Sequence, residues 1–295
     1  FSCFLCYDRG ELSKVWQLLH CERNYRMKII DAHLHFCKED YFDEIALAAG
    51  HENTAEHLEA EYHRLGIVHG VVMGNKSLEP QAHVYSDVLS YCIGLDTLGE
   101  ERPLDEQVAL VEENLKRRQC VGIKLYPGYR HFYVYEEALA PFYALAEKYD
   151  KPVAIHTGLT ASTDGLLKYS HPLVLDEAAV RWPRVQFVMC HFGNPWLADA
   201  VGVVEKNPNV AVDFSGLLEG KIHDADRFRR KKRGYMRMLT DWLEYLDSYE
   251  RIMFGTDWPL ANLEDYIGFM KEIVPEEEWE TVFFAAANRI YGLGL

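Results

Sequence analysis

Short apolar runs that end in histidine or aspartate recur along this chain, and they constrain its fold more than any other feature. The runs end in His33 and His35, in His156, in His191 and in Asp257. Residues two apart on a strand point to the same face, so His33 and His35 could reach one metal ion. Imidazole is a good ligand for zinc and several other divalent ions. A single histidine of this kind is commonly a buried core residue, but the repeated ending favours one shared site.

Amphipathic stretches separate the apolar runs, and this alternation predicts a parallel sheet buried on both faces. Strands are predicted over 28–34, 67–73, 88–94, 121–126, 152–157, 185–190, 209–213 and 251–255. Helices are predicted over 54–65, 104–118, 136–149, 173–181, 196–206, 236–247, 263–274 and 276–290. Eight such units predict an α/β protein with a (β/α)₈ TIM barrel. An open doubly wound sheet is the alternative, but no glycine-rich phosphate turn follows the first strand.

In such a barrel the carboxyl ends of the strands meet at one mouth. Six residues that are far apart in the sequence are therefore expected to converge there: His33, His35, Lys124, His156, His191 and Asp257. Lys124 lies inside an otherwise apolar strand. A buried amine is costly without a partner, so we expect Lys124 to have a role near the mouth.

Length and charge narrow the class of protein further. A chain of 295 residues with 48% hydrophobic residues fits one barrel domain. The formal net charge of -15 argues against nucleic-acid binding, which depends on basic surface. The basic run 227–233 lies between predicted elements; we interpret it as a solvated helix face, with a partner-binding or nucleic-acid-binding patch as the alternative. No apolar stretch is long enough to predict a membrane span.

The domain organisation is predicted to be an extension followed by the barrel. Residues 27–295 form the barrel, and residues 1–26 are an N-terminal extension without an assigned role or the pattern of a signal peptide. Seven scattered cysteines do not suggest a disulfide framework, so a cytoplasmic location is expected. The exposed helices could support a homodimer.

Five motifs together resemble the amidohydrolase superfamily, and more narrowly its branch that contains aminocarboxymuconate-semialdehyde decarboxylase. They are Asp31-Ala32-His33-Leu34-His35, Gly122-Ile123-Lys124-Leu125-Tyr126-Pro127, Ile155-His156-Thr157-Gly158, Cys190-His191-Phe192-Gly193 and Phe254-Gly255-Thr256-Asp257-Trp258-Pro259. Segments 209–216 and 287–293 also match that branch, and the resemblance runs from about Met27 to the C-terminus. The motifs do not specify the reaction, because the branch holds hydrolases, lactonases, hydratases and non-oxidative decarboxylases.

The resemblance implies one divalent metal, Zn²⁺ or alternatively Mn²⁺, held by His33, His35, His156 and Asp257. Asp257 would also take a proton from metal-activated water and return it to the leaving group. His191 would polarise the substrate carbonyl or donate a proton. Some members of the superfamily carry a carboxylated lysine that bridges two metals, so a two-metal site is the alternative if Lys124 is carboxylated.

The predicted function is metal-dependent hydrolysis of a C–N or C–O bond, of amide or lactone type, in a small organic molecule. The alternative is metal-dependent non-oxidative decarboxylation of a carboxylated cyclic or aromatic substrate. A non-catalytic barrel would lack some of the ligands, which are all present. The candidate substrate-binding residues are Tyr126, Arg130, Lys168, His171 and Trp258. Arg130 could grip a carboxylate and Lys168 could supply a point charge, although each could equally form a loop ion pair.

Overall fold

The computed structural model describes residues 27–36, 40–74, 77–95 and 102–295, so the extension expected over 1–26 lies outside the described residues. Eight strands follow one another in chain order within one sheet, and every neighbouring pair is parallel. They are β1 Ile29–Leu34, β2 Ile67–Met73, β3 Leu89–Leu95, β4 Cys120–Leu125, β5 Val153–Ile155, β6 Phe187–Met189, β7 Val210–Asp213 and β8 Ile252–Met253. All eight predicted strands are confirmed.

The segment after β8 runs beside β1 and nearly closes the sheet. The backbone N–H of Asp257 donates to the carbonyl of His33 at 2.8 Å, and that of His35 donates to the carbonyl of Trp258 at 2.7 Å. These hydrogen bonds continue the parallel pairing beyond the short β8. The predicted single-domain (β/α)₈ barrel is therefore confirmed.

Helices follow the strands around the outside of the barrel. They are α1 Asp40–Ala48, α2 Ala55–Leu65, α3 Leu104–Leu115, α4 Ala140–Tyr149, α5 Leu167–Ser170, α6 Leu173–Arg181, α7 Leu197–Lys206, α8 Ala225–Leu246, α9 Leu263–Ile273 and α10 Ala286–Ile290. Capping explains their limits. The hydroxyl of Thr54 accepts the N–H of His57 at 3.2 Å at the start of α2, and Gly66, with a φ of 81°, ends that helix.

Short segments of tighter or wider helix complete the fold. Single 3₁₀ turns occupy Pro80–Ala82, Glu137–Leu139, Cys190–Gly193 and Glu276–Glu278, and a π-helical turn occupies Thr281–Ala285. The helix predicted over 276–290 is therefore broken into three pieces. Helix α1 was not predicted from the sequence.

Helix α8 begins at Ala225, well before the start predicted at residue 236. The carboxylate of Asp224 accepts the N–H of Arg227 at 2.9 Å and caps the first turn. The basic run 227–233 is thus part of α8, and most of its side chains are exposed. The run therefore lies on an exposed helix face and its placement between elements was wrong, while the choice between a solvated face and a binding patch stays a prediction.

The barrel interior is filled by small and medium apolar side chains from alternate positions of the strands. They include Ile30, Ala32, Val71, Met73, Cys92, Val121, Ala154, Val188, Cys190, Ala211 and Met253. A second, larger cluster packs the helices against the outside of the sheet. The polar residues of the mouth therefore rest on a closely packed floor. Among the described residues, no helix has both the length and the hydropathy to span a membrane.

Asp31 fastens β1 to the segment that follows β8. This fully buried carboxylate accepts the N–H of Thr256 at 2.9 Å, its hydroxyl at 2.6 Å and the hydroxyl of Tyr62 at 3.0 Å. Burial raises the pKa of Asp31 to about 7, although the hydrogen bonds from Thr256 and Tyr62 act in the opposite direction. Asp31 therefore links the two backbone segments that carry the candidate metal ligands, β1 and the segment after β8.

Candidate metal centre

Three side chains converge where β1 meets the segment after β8. His33 Nε2 lies 3.4 Å from Asp257 Oδ1, and His35 Nε2 lies 3.3 Å from the same oxygen. Ligand atoms around a tetrahedral zinc ion, each at about 2.1 Å, are separated by about 3.4 Å. His33 Nε2 and Asp257 Oδ1 are also buried without a hydrogen-bond partner. The spacing and the unsatisfied atoms fit one divalent metal ion, which these residues could hold.

Asp257 reaches β1 because its backbone adopts a conformation that is uncommon for residues with a side chain. Its φ is 59°, and the turn at the end of β6 places His191 at a φ of 62°. Such strained positions are often found at functional sites, where the surrounding structure holds them in place. Here they direct a carboxylate and an imidazole from two different strand ends toward the same region of the mouth.

Asp213 sets the protonation state of His33. Its Oδ2 lies 2.9 Å from His33 Nδ1, and because a carboxylate only accepts, Nδ1 carries the proton. The lone pair on Nε2 is then free to bind a metal. Burial lowers the pKa of His33 to about 4, against the opposing charge of Asp213. His33 is therefore neutral at pH 7, as metal binding requires.

Asp213 also fixes the turn that carries His191. Its Oδ1 accepts the N–H of His191 at 3.0 Å and the N–H of Ser215 at 3.2 Å. Burial would raise the pKa of Asp213, but the facing His33 holds it well below its ordinary value. The sequence reasoning did not assign this residue a role. The signal was available, because β7 is another apolar run that ends in aspartate.

His156 and His191 form a pair of imidazoles beside the three converging residues. His156 Nε2 lies 3.1 Å from the carbonyl of Leu159, which can only accept, so Nε2 carries the proton. His156 Nδ1 lies 3.1 Å from His191 Nε2. Burial lowers the pKa of both imidazoles. The metal-ligand role of His156 stays a prediction, since the structure pairs its free ring nitrogen with His191.

His191 also faces the carboxylate of Asp257. Its Nδ1 lies 3.9 Å from Asp257 Oδ2, and its ring centroid is 4.8 Å from that of His33. Burial would raise the pKa of Asp257, but the facing His191 and the nearby His33 and His35 hold it well below its ordinary value. Asp257 is therefore ionised at neutral pH, with an imidazole next to each of its two oxygens.

Lys124 is fully buried and donates from Nζ to Cys190 Sγ at 2.9 Å. The same nitrogen lies 5.2 Å from the centre of the Tyr126 ring. No carboxylate of the described residues lies within ion-pair distance of it. Lys124 thus sits at the floor of the mouth, as expected, with a thiol as its partner. A bridging role between two metals stays a prediction.

Aromatic rings lie close to His35 and His156. The rings of Phe42 and Tyr126 lie 6.2 and 6.4 Å from it, and Tyr129 lies 4.8 Å from the ring of His156. Tyr126, a predicted substrate-binding residue, therefore lies beside the candidate ligands. Phe42 and Tyr129 were not identified from the sequence, although Tyr129 directly precedes Arg130, a predicted substrate-binding residue, in the loop after β4.

Two other predicted substrate-binding residues make contacts of their own. Trp258 is fully buried, with its ring 4.6 Å from that of His51. His171 lies 4.8 Å from the ring of Trp196 and 3.7 Å from the carboxylate of Asp199. No hydrogen bond, ion pair or ring contact joins either side chain to those of the candidate ligands, and their role in binding substrate stays a prediction.

The two predicted cationic substrate contacts lie on loops of the mouth. Lys168 is exposed at the start of α5, with Nζ 4.7 Å from the centre of the Tyr169 ring. Arg130 is half-buried in the turn after β4, where its N–H donates to the carbonyl of Tyr126 at 3.0 Å. Contact of either cation with a substrate carboxylate stays a prediction.

The fold and these contacts define a single-domain barrel with a histidine and carboxylate centre at its mouth. The sequence profile of the amidohydrolases matches residues 30–293, and the chain belongs to the amidohydrolase family.

Among curated proteins, L-fucono-1,5-lactonase of Burkholderia ambifaria is 28% identical over 113 residues. The match covers 36% of this chain and 37% of the lactonase, so the chain spans only about a third of that relative.

Solved structures share the fold over nearly the whole chain. An uncharacterised TIM-barrel protein of Bordetella bronchiseptica has a TM-score of 0.67 at 20% identity, covering 90% of this chain and 99% of that one. The 2,6-dihydroxybenzoate decarboxylase of Rhizobium has a TM-score of 0.63 at 15% identity, covering 91% of this chain and 100% of the other. At these identities the likeness shows the fold alone.

Proposed function

We propose that the protein is a metal-dependent hydrolase that cleaves a C–N or C–O bond, of amide or lactone type, in a small organic molecule. The observation that carries this proposal is the pair of buried, unsatisfied atoms His33 Nε2 and Asp257 Oδ1, separated by 3.4 Å. The partial similarity to a lactonase supports C–O cleavage in particular.

Four residues are candidates to hold the metal, Zn²⁺ or alternatively Mn²⁺. His33, His35 and Asp257 supply neighbouring ligand atoms, and His156 is a further ligand if its contact with His191 opens. A divalent ion bound there would polarise a substrate carbonyl and make water more acidic. Neutral imidazoles and an ionised carboxylate are the ligand types that suit zinc.

Asp257 and His191 are the groups that can move protons. Asp257 Oδ2 remains directed at His191, 3.9 Å away, while Oδ1 faces the other two histidines. As an ionised carboxylate, Asp257 can accept the proton of the attacking water. His191, whose Nδ1 also lies 2.9 Å from the hydroxyl of Ser215, can hold a proton near the leaving group.

Tyr129 offers a hydrogen bond to the substrate from the rim. Its hydroxyl oxygen accepts the N–H of Ala161 at 2.9 Å, which leaves the hydroxyl proton available. Burial raises the pKa of Tyr129, and the charge of Asp257 adds to this, so the phenol stays a donor at neutral pH. A fixed neutral donor at this position could stabilise negative charge that develops on a substrate oxygen.

The alternative function is non-oxidative decarboxylation. The same ligand set could serve it, and the fold is shared with 2,6-dihydroxybenzoate decarboxylase. This reaction requires a cation for the substrate carboxylate, for which Arg130 is the candidate. Arg130→Ala should then abolish turnover of carboxylated aromatics, whereas a hydrolase should place oxygen from labelled water in its product.

Metal analysis by inductively coupled plasma mass spectrometry tests the centre. Purified protein should contain about one transition metal per chain. His33→Ala and Asp257→Asn should lose it, while His63→Ala, on the exposed face of α2, should retain it. Absence of metal after reconstitution with zinc and with manganese would refute the proposal. About two ions per chain would bring Lys124 and His191 into the ligand shell.

We also propose a cytoplasmic location and a homodimer, with a small molecule rather than a nucleic acid as the binding partner. Cys92, Cys120 and Cys190 are free and buried in the described part of the chain, which supports a reducing compartment. Light scattering after size exclusion tests the oligomeric state, and a monomeric mass would contradict the dimer.

A further inference from the structure

A contact between an amine and a thiol lies at the floor of the mouth, and the proposed reaction does not use it. Lys124 on β4 and Cys190 at the end of β6 are both fully buried, with Nζ and Sγ 2.9 Å apart. Buried lysines usually pair with carboxylates. Here the hydrogen-bond acceptor is sulfur, and the other near group is the ring of Tyr126.

A second lysine and cysteine of the same protein provide a contrast. Lys151 donates from Nζ to the backbone carbonyls of Leu115 and Cys120, and the Cys120 thiol faces the carbonyl of Gly122 at 3.6 Å. Lys151 is thus near Cys120 without a bond to its sulfur. Only the Lys124 and Cys190 pair, among the described residues, places an amine nitrogen directly on a thiol.

The sulfur lies next to the candidate metal centre. Cys190 Sγ, a ring nitrogen of His33 and a carboxylate oxygen of Asp213 all lie within 4.8 Å of one another. The next residue, His191, has 12% of its side chain exposed. Cys190 itself is fully buried, so an oxidant must enter from the mouth to reach its sulfur.

We propose that Lys124 and Cys190 form a redox modification site at which a peroxide joins Sγ to Nζ in a sulfenamide. In the first step hydrogen peroxide transfers one oxygen to the sulfur, giving sulfenic acid and one water. The lone pair of Nζ then attacks the sulfur, and the S–O bond breaks. The departing hydroxide takes a proton from the nitrogen, giving a second water. In total, thiol, amine and one peroxide give the S–N bond and two waters.

The bond would lock the turn that carries His191. It joins β4 to the start of the 3₁₀ turn Cys190–Gly193 and draws the two atoms together from 2.9 Å. His191 follows Cys190 directly, so its position against Asp257 changes. Two thiol equivalents reduce the S–N bond back to the amine and Cys190 thiol, which makes the modification reversible.

The test is peptide mapping of the full-length protein, reduced and then treated with hydrogen peroxide at neutral pH. Tryptic digestion and mass spectrometry should show the Lys124 peptide linked to the Cys190 peptide, lighter by two hydrogens than the sum of the two. Dithiothreitol should remove the link. Recovery of Cys190 as a thiol or sulfinic acid, with Lys124 unlinked, would overturn the proposal.

Two controls separate the site from general oxidation. The Lys151 and Cys120 pair should give at least about tenfold less linked peptide than Lys124 and Cys190, because no amine nitrogen contacts the sulfur of Cys120. Lys124→Met should stop at the oxidised thiol without a link. Equal linking of both pairs, or linking in urea-unfolded protein, would show that the folded contact is not responsible. This internal comparison holds even if Lys124→Met fails to fold.

Discussion

At the scale of single residues, the candidate centre depends on which ring nitrogen of each histidine carries its proton. Asp213 fixes this for His33, and the carbonyl of Leu159 fixes it for His156. Asp213 lies on β7 and Leu159 in the same loop as His156, and each acceptor leaves one ring nitrogen of its histidine unprotonated. The two histidines differ in where that nitrogen points, toward Asp257 in His33 and toward His191 in His156.

Replacing Asp213 with asparagine should weaken zinc binding about 10- to 100-fold, because the charged acceptor that orients His33 is lost. Isothermal titration of metal-free protein with zinc measures the change. Asp176→Asn, in an exposed ion pair with Lys206 at 2.6 Å, is the matched control and should bind zinc like the native protein. Unchanged affinity in Asp213→Asn would contradict the role given to Asp213.

Replacing Tyr129 with phenylalanine should lower kcat about 10- to 100-fold on any lactone or amide that the native enzyme hydrolyses. The ring that packs on His156 is retained and only the donor is removed, so KM should change little. Tyr133→Phe, in the same loop but stacked on Tyr135 at 5.0 Å, should behave as native. Steady-state kinetics decide, and equal kcat values for both variants would exclude the donor role.

At the scale of elements, hydrogen bonds join the loop between α1 and α2 to the first turns of α2 and α9. His51, in the loop after α1, accepts the N–H of Leu263 at 3.1 Å at the start of α9. Its Nδ1 lies 3.0 Å from His57 Nε2 on α2. Trp258 packs on this pair of histidines and directly follows Asp257. Protonation of His51 at Nε2 would break the contact with α9.

Stability should therefore fall in mild acid. Burial lowers the pKa of His51 to about 4, and the neighbouring His57 adds to this. The unfolded chain takes up the proton near pH 6.5, so the free energy of unfolding falls as the pH drops from 6.5 toward 4. Urea unfolding at pH 7 and at pH 5 measures how much the free energy of unfolding decreases. This decrease should be about 1 kcal/mol smaller in His51→Asn than in the native protein. The same pH dependence in both proteins would contradict this assignment.

At the scale of the whole molecule, the centre joins the first and last strands of the barrel. His33 lies on β1 and His35 directly follows that strand, whereas Asp257 follows β8. An ion bound between them would stabilise the closure of the sheet as well as the site. Binding to the folded state alone raises stability by mass action.

Metal addition should accordingly raise the melting temperature. With zinc at a hundred times its Kd the gain is about 2.7 kcal/mol, or roughly 5–10 °C for a chain of this size. Differential scanning calorimetry with zinc and then with a chelator measures the shift and its reversal. His35→Ala should lose the shift and His63→Ala should keep it. If neither zinc nor the chelator changes the melting temperature of the native protein, the result argues against the metal centre.

The fold was predictable in outline because each strand is a short apolar run with its own local signal, and parallel strands converge at one mouth. Helix limits were less predictable. Helix α8 starts after its cap, Asp224, but the charged residues of its first half obscure the helical pattern of apolar residues. The predicted start was therefore too far along the chain. The pattern over 276–290 predicts one helix, but the structure has a 3₁₀ turn, a π-helical turn and a short α-helix there.

The sequence by itself determined the barrel, the order of its strands and the residues carried at the strand ends, because alternation and residue type are local properties. Tertiary structure alone decided the contacts among those residues. It brought Asp213 into contact with His33, His156 with His191, and Lys124 with Cys190. These contacts depend on register and on left-handed turns that bring side-chain atoms from distant strands within 3 to 4 Å, and no local pattern encodes such distances.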